Sequence, residues 1–230
     1  YLAGPRIGHL HQAKHMFHYL KYHSNSWIPI DATKLDIEIK GPGETCPEER
    51  RKAMQKLYPE AEEEIPNNIP EPRGKTVQVN TYVDSNHAGN KVTRRSQTGI
   101  LIFLNMSPIF WFSKRQNTVE SATFGSEYIA LKIAMEKIIA LRYKLRMMGI
   151  PIDGPANIFC DNESVVNCSV KSEVTLQRKN VSIAYHKCRE CFASGIANIF
   201  FQYFEDNLAD LFTKVLPVEK RKELCSCIFA

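Results

Sequence analysis

The sequence predicts an α/β protein, with a mixed sheet of three antiparallel strands plus parallel strands, flanked by helices and preceded by a helical appendage. Three observations carry this expectation. Between residues 76 and 114 three segments of two-residue alternation follow one another, as consecutive antiparallel strands do. A long stretch from Thr123 to Met148 repeats apolar residues in steps of three and four, the spacing of a helix. After it, short apolar runs alternate with helical patterns, the order that produces parallel strands.

Taken in order, His9 to His23 places Leu10, Ala13, Met16, Phe17 and Leu20 on one helical stripe, with Lys14, Lys21 and several His elsewhere. The pairs His11/His15 and His15/His18 are spaced for a metal, but the Glu of an HExxH zinc helix is absent. A solvated or nucleic-acid-facing side is expected. From Gly41 to Arg73 the composition turns to Pro and to the Glu-rich run Glu60 to Glu64, so 31–75 reads as a linker or insertion holding one short helix near Glu48 to Leu57. The main domain is expected at 76–217, with a helix or tail at 218–230.

Within that domain, Thr76 to Asp84 reads as a strand with Val77, Val79 and Val83 on one face and Asn80, Tyr82 and Asp84 on the other. Gln97 to Leu104 and Pro108 to Lys114 follow, joined by a tight turn at Asn105-Met106. The long helix is stopped by Gly149 and Pro151. A short buried strand, Asn157 to Cys160, precedes a brief helix from Glu163. Then come a helix near Val181 to Ala193, a strand near Ile196 to Phe204 and a helix entered through Asp206-Asn207.

Composition sets limits on function. At 230 residues with 43% apolar content the chain can bury a core without staples, which excludes global disorder. The most apolar stretch, Gly99 to Phe112, is too short and too interrupted for a membrane helix, so no membrane partner is expected. Seven Cys fit reduced thiols better than a disulfide framework, and no secretory signal peptide is expected. Starting at Tyr1 without Met, the chain reads as a piece of a longer translation product. Cys188 and Cys191 form a CxxC, with Cys225 and Cys227 beyond, but the first pair lies in a helical run, so thiols rather than zinc are expected. The formal charge is +5; residues 1–77 carry 11 basic and 11 acidic side chains, so the whole surplus lies in 78–230.

The chemistry concentrates in four acids. Glu127 stands one turn before Leu131 on the stripe Leu131, Ala134, Ile138, Leu141, Leu145, Met148, so a carboxylate points at the sheet. Asp84 ends the first strand, Asp161 follows the buried strand at its C-terminal edge, where ligands gather in α/β sheets, and Asp210 lies in the first turn of the helix after Asn207. Converging carboxylates stay ionised only with cations among them. Two hard divalent ions, Mg²⁺ or Mn²⁺, meet that need, and such a pair can drive phosphodiester hydrolysis.

Six motifs then carry a resemblance: Tyr82-Val-Asp-Ser-Asn-His-Ala-Gly89, Thr93-Arg-Arg-Ser-Gln-Thr-Gly99, Trp111-Phe-Ser-Lys-Arg-Gln116, Ser126-Glu-Tyr-Ile-Ala-Leu131, Cys160-Asp-Asn-Glu-Ser164 and Leu208-Ala-Asp-Leu-Phe-Thr-Lys214. In this order, over about residues 76 to 217, the chain resembles the ribonuclease H domain of copia-type retrotransposon Pol polyproteins. The resemblance implies a ribonuclease H-like sheet and hydrolysis of the RNA strand of RNA–DNA hybrids. It implies that Asp84, Glu127, Asp161 and Asp210 bind two ions, that His186 matches a family His, and that a reverse transcriptase core lies upstream, with 1–30 as the tail of its thumb or connection. It implies a cytoplasmic setting, in a virus-like particle, or a nuclear one. Asn86 and Asn180 depart from the family pattern, which has an acid and a His there.

A hybrid also needs cations for phosphates and polar groups for sugars. Arg94, Arg95, Lys114, Arg115 and Lys214 are the expected cations, and Ser113, Gln116, Asn162 and Ser164 the polar partners; Asn162 and Ser164 serve equally as helix caps. Lys137, Arg142, Lys144 and Arg146 read as solubilising charge on the outer side of the long helix. Two other classes stand beside the hydrolase: a decayed or co-opted fragment that only binds nucleic acid or a polymerase partner, and an integrase-like nuclease, which fits Glu127 and Asp210 less well.

Overall fold

The sheet grows outward from its first strand in the computed structural model, which describes residues 4–34 and 47–229. β1 (Val79–Asn86) pairs antiparallel with β2 (Gln97–Leu104), which pairs antiparallel with β3 (Ser107–Arg115). On its other side β1 runs parallel to β4 (Ala156–Cys160), and β4 to β5 (Ala197–Phe201), giving the order β3-β2-β1-β4-β5. This is the expected mixed sheet.

Each strand takes its length from its neighbours. Val79 pairs with Leu104 at the end of β2, so Val77 keeps only an isolated bridge to Ile152, and β1 begins three residues later than the alternation suggests. It gains Ser85 and Asn86 at its other end, opposite Thr98 and Gln97. β5 stops at Phe201 because its partner β4 stops at Cys160. The turn between β2 and β3 holds Asn105 at φ 56°, a left-handed conformation that Asn tolerates.

Four helices cover one face: α2 (Pro47–Gln55), α3 (Thr123–Met147), α4 (Glu163–Val170) and α5 (Ser182–Ala193). The predicted stripe of α3 faces inward, with Leu131, Ala134, Ile138 and Leu145 buried against Val83, Ile100 and Ile158. Met148 leaves it, because the helix ends there in a Schellman motif: Gly149 at φ 70° donates to Arg146 O, and Ile150 to Leu145 O. On the opposite face Leu101 and Phe103 pack under Leu208, Leu224 and Ile228, the last two from α6 (Val218–Ser226) and its end.

Two expectations need correction. The helix after Asn207 is a five-residue 3₁₀ turn, Leu208–Phe212, pinned at its start where Asn207 Nδ2 donates to Val83 O while Oδ1 accepts from Ala209 N–H. Arg142 is buried: it holds Glu63 at 2.7 and 2.9 Å and Gly154 O at 2.8 Å, while Arg146 meets the same carboxylate. Burial would raise the Glu63 pKa, but the two guanidinium groups bring it down to about 2. Of the two readings of the stretch before the domain, linker or insertion, its packing fits an insertion, with Met54 fully buried and Gln55 donating to Ala193 O. Residues 35–46 of that stretch lie outside the described residues, as does Tyr1-Leu-Ala.

The first helix, α1 (Ile7–Tyr22), forms as the spacing predicts, but it buries none of its stripe; Arg221 of α6 lies over its Tyr19 ring. No helix among the described residues is long and apolar enough to cross a membrane.

Candidate metal centre

Four acids meet at one edge of the sheet. Asp84 sits near the end of β1, opposite Gly99 of β2. Asp161 follows β4, Glu127 projects from the second turn of α3, and Asp210 comes down from the 3₁₀ turn. Their approach depends on local sequence. A Cβ at Gly99 would lie 2.5 Å from Thr213 Cγ2 and 2.7 Å from Ala209 O, so only glycine lets the turn that carries Asp210 rest on β2. Asn162 caps α4 by accepting from Val165 N–H, which fixes the chain just after Asp161. Gln116 donates to Thr98 Oγ1 and Ser126 O, tying the start of α3 to β2.

The carboxylates form two overlapping groups. Ligand atoms of Asp84, Asp161 and Asp210 lie within 4.8 Å of one another, and so do those of Glu127, Cys160 and Asp161. Asp84, Glu127 and Asp210 are buried and Asp161 is half-buried. Burial, with the charges of Asp84 and Asp161, pushes Glu127 well above the usual carboxylate range. Burial and Asp84 push Asp161 up to about 6. Asp210 is raised mainly by burial, against a hydrogen bond from Lys214. Glu127 Oε2 is buried without a hydrogen-bond partner. Four crowded carboxylates, one of them with an unpaired buried oxygen, suit hard divalent cations, which relieve their mutual repulsion.

Lys214 enters this cluster. Its ammonium lies 2.7 Å from Asp210 Oδ1 and 3.2 Å from Asp84 Oδ1, and Thr213 Oγ1 donates to Asp84 Oδ2. Burial would lower the Lys214 pKa, but Asp84 and Asp210 hold it above its usual range. Lys214 is therefore an internal countercharge of the acids before it is anything else.

The other residues singled out in the sequence separate into two sets. Arg95, Arg115 and Lys214 line an open groove of about 720 Å³ beside the acids, together with Asn86, Gln97 and Ser113. Arg94 and Lys114 are exposed near it in sequence, and Ser164 is exposed on the first turn of α4. Others, and Asn86 and Ser113 of the groove as well, hold the protein together. Gln116 is buried, and Ser113 Oγ donates to Phe212 O at 2.6 Å, clamping the 3₁₀ turn to β3. Asn86 Nδ2 donates to Thr213 O, and Asn180 Nδ2 to the buried Glu120. His186 lies away from the acids in its contacts: Nδ1 is 2.7 Å from Tyr58 OH, and its ring meets Tyr185 edge-on.

Sequence reasoning missed Cys160 and Thr213 as members of the cluster. For Cys160 the signal was present, since strand alternation puts it on the α3 face, level with Glu127.

No family model matches the chain. Over 144 residues it is 31% identical to the Retrovirus-related Pol polyprotein from transposon TNT 1-94 of Nicotiana tabacum, a match covering 63% of this chain and 11% of that protein. Over 144 residues it is 28% identical to the corresponding polyprotein from transposon RE1 of Arabidopsis thaliana, covering 63% and 10%. The chain thus spans about a tenth of the length of the curated relatives it matches. Among solved structures, LC11-RNase H1 in complex with an RNA/DNA hybrid aligns with a TM-score of 0.47 and 18% identity, covering 59% of this chain and 94% of that one. The resemblance to retrotransposon Pol polyproteins drawn from the six motifs is borne out by these relatives.

Proposed function

We propose that this chain is a metal-dependent ribonuclease H, which cuts the RNA strand of RNA–DNA hybrids within a retrotransposon Pol polyprotein. The observation that carries the reading is the pair of overlapping acidic groups sharing Asp161, with one Glu127 oxygen left unpaired in the core. Asp84, Asp161 and Asp210 would hold one Mg²⁺ or Mn²⁺, and Glu127 with Asp161 the other. Bound there, two such ions supply an activated water and charge stabilisation for the leaving oxygen of a phosphodiester.

The chain's own residues supply the rest. Thr213 and Asn207 fix Asp84 and the turn bearing Asp210, so the acids need little reorganisation. Arg95 and Arg115, on the wall of the groove beside the acids, fit the phosphates of a duplex. Lys214 stands between acids and groove, close enough to either to exchange a carboxylate for a phosphate. A reverse transcriptase core in the same polyprotein is the proposed partner, and the cytoplasm, in a virus-like particle, or the nucleus the proposed setting.

The test is Mg²⁺-dependent cleavage of an RNA–DNA hybrid, with DNA–DNA and RNA–RNA duplexes as comparisons. Asp161→Asn is expected to abolish it. A folded chain that binds Mg²⁺ and hybrid without cutting it would overturn the hydrolase reading in favour of the binding-only alternative.

A further inference from the structure

The inner acidic group contains a residue that hard-ion chemistry does not use. Cys160, the last residue of β4, is fully buried, and its sulfur lies within 4.8 Å of carboxylate oxygens of both Glu127 and Asp161. Mg²⁺ and Mn²⁺ prefer oxygen and would leave this sulfur aside. A borderline or soft ion would not. Around tetrahedral Zn²⁺, bonds of about 2.3 Å to sulfur and about 2.0–2.2 Å to oxygen set ligand separations of roughly 3.5 Å. The three ligand atoms already lie within 4.8 Å of one another, so that spacing is reached by a movement of about 1 Å.

A second observation independently points to a ligand. Glu127 is 3% exposed, and its Oε2 has no hydrogen-bond partner. Burial, with the charges of Glu127 and Asp161, holds the Cys160 thiol well above its usual range, so the sulfur is a thiol until an ion displaces its proton. Entry is through Asp161, the half-exposed member.

We infer that Glu127, Cys160 and Asp161 form a binding site for a thiophilic divalent cation of the Zn²⁺ or Cd²⁺ class, with the Cys160 sulfur as a direct ligand. Binding forms the metal–sulfur bond and releases the thiol proton to solvent. Because Glu127 and Asp161 are shared, such an ion competes with Mg²⁺ for the inner part of the centre. The inference deepens the hard-ion reading of these two acids, but its own evidence is the sulfur.

The experiment uses the full, reduced, metal-free chain titrated with Cd²⁺, followed by the sulfur-to-cadmium charge-transfer band in the ultraviolet. The band is expected with the first equivalent and lost in Cys160→Ser. Glu127→Gln is expected to weaken Cd²⁺ by at least the ~10-fold that loss of a supporting partner costs, and saturating Mg²⁺ to suppress the band in the wild type. An absent band, or one unchanged in Cys160→Ser, overturns the inference, the latter placing the sulfur elsewhere, as at Cys188 and Cys191. Should Cys160→Ser fail to fold by circular dichroism, the other two arms decide, and a band indifferent to both overturns it. Calorimetry of Mg²⁺ on the wild type separates the two ideas: no Mg²⁺ binding counts against the hard-ion centre, whereas Mg²⁺ binding without a Cys160-dependent band counts only against the sulfur site.

Discussion

Gly99→Ala tests whether the sheet positions the acids by direct contact. The added Cβ would lie 2.7 Å from the backbone oxygen of Ala209 and 2.5 Å from Thr213 Cγ2. Thr213 can rotate, at the cost of its hydrogen bond to Asp84. Ala209 O cannot, since it belongs to the turn itself. To reach even the 3.4 Å at which ordinary contact begins, the turn must lift from β2 by about 0.7 Å. Overpacking of this kind costs about 1–3 kcal/mol. The functional cost is larger: Asp210 follows Ala209 directly, and a displacement near 1 Å at a catalytic group lowers rates by about 10²-fold. Two measurements decide, urea denaturation for stability and hybrid cleavage at saturating Mg²⁺ for rate. If Gly99→Ala cuts at the wild-type rate with unchanged stability, Asp210 does not take its place from this contact, and the account of the site's assembly fails.

Two further outcomes are expected. Glu63→Gln leaves the buried Arg142 without its counter-charge and should cost about 3 kcal/mol in denaturant unfolding. The Glu63 pKa is depressed from 4.5 to about 2, so the wild-type advantage is fully present above pH 4.5 and fades as pH falls through about 2; a difference that persists unchanged to the lowest pH would contradict this. Asp161→Asn should stabilise the metal-free protein at neutral pH by on the order of 2 kcal/mol, because the folded-state pKa is raised from 3.8 to about 6. The wild-type penalty is absent below pH 3.8 and complete once pH has risen through about 6, so melting temperatures of the two chains should converge in acid and separate near neutrality.

Most of the fold was legible because it rests on local patterns. The stripe of α3 and the Gly149-Pro151 stop read directly, as did β2, whose two ends match its alternation. The acids were legible for a related reason: each stands at the end of an element, where the period breaks and a charged side chain has no local excuse to face inward. The misreadings have a different physical origin. Arg142 looks solvent-facing on a helical wheel because its partner, Glu63, lies 79 residues upstream. Gln116 looks like a surface residue after a strand, but the chain turns under there and its amide meets Thr98 and Ser126. Helical periodicity proposed a helix after Asn207, whereas tethering to β1 and contact with Gly99 wind it as a 3₁₀ turn.

The same long-range pairing changes what the net charge means. A surplus of +5 confined to residues 78–230 suggests a polyanion-binding surface, but three of its cations face inward. Lys214 neutralises Asp84 and Asp210, Arg142 neutralises Glu63, and the buried Arg189 donates to the carbonyls of Lys171, Ser172 and Val174. The case for a nucleic-acid partner therefore rests on position, not on the total. Arg95, in the loop before β2, and Arg115, at the end of β3, line one groove, and that groove opens beside Lys214 and the acids. A duplex lying across it would bring a phosphate to the ammonium that now holds Asp210. Cations entering the acidic cluster and a phosphate entering the groove would each favour the same movement of Lys214, so binding of the two should be mutually supportive.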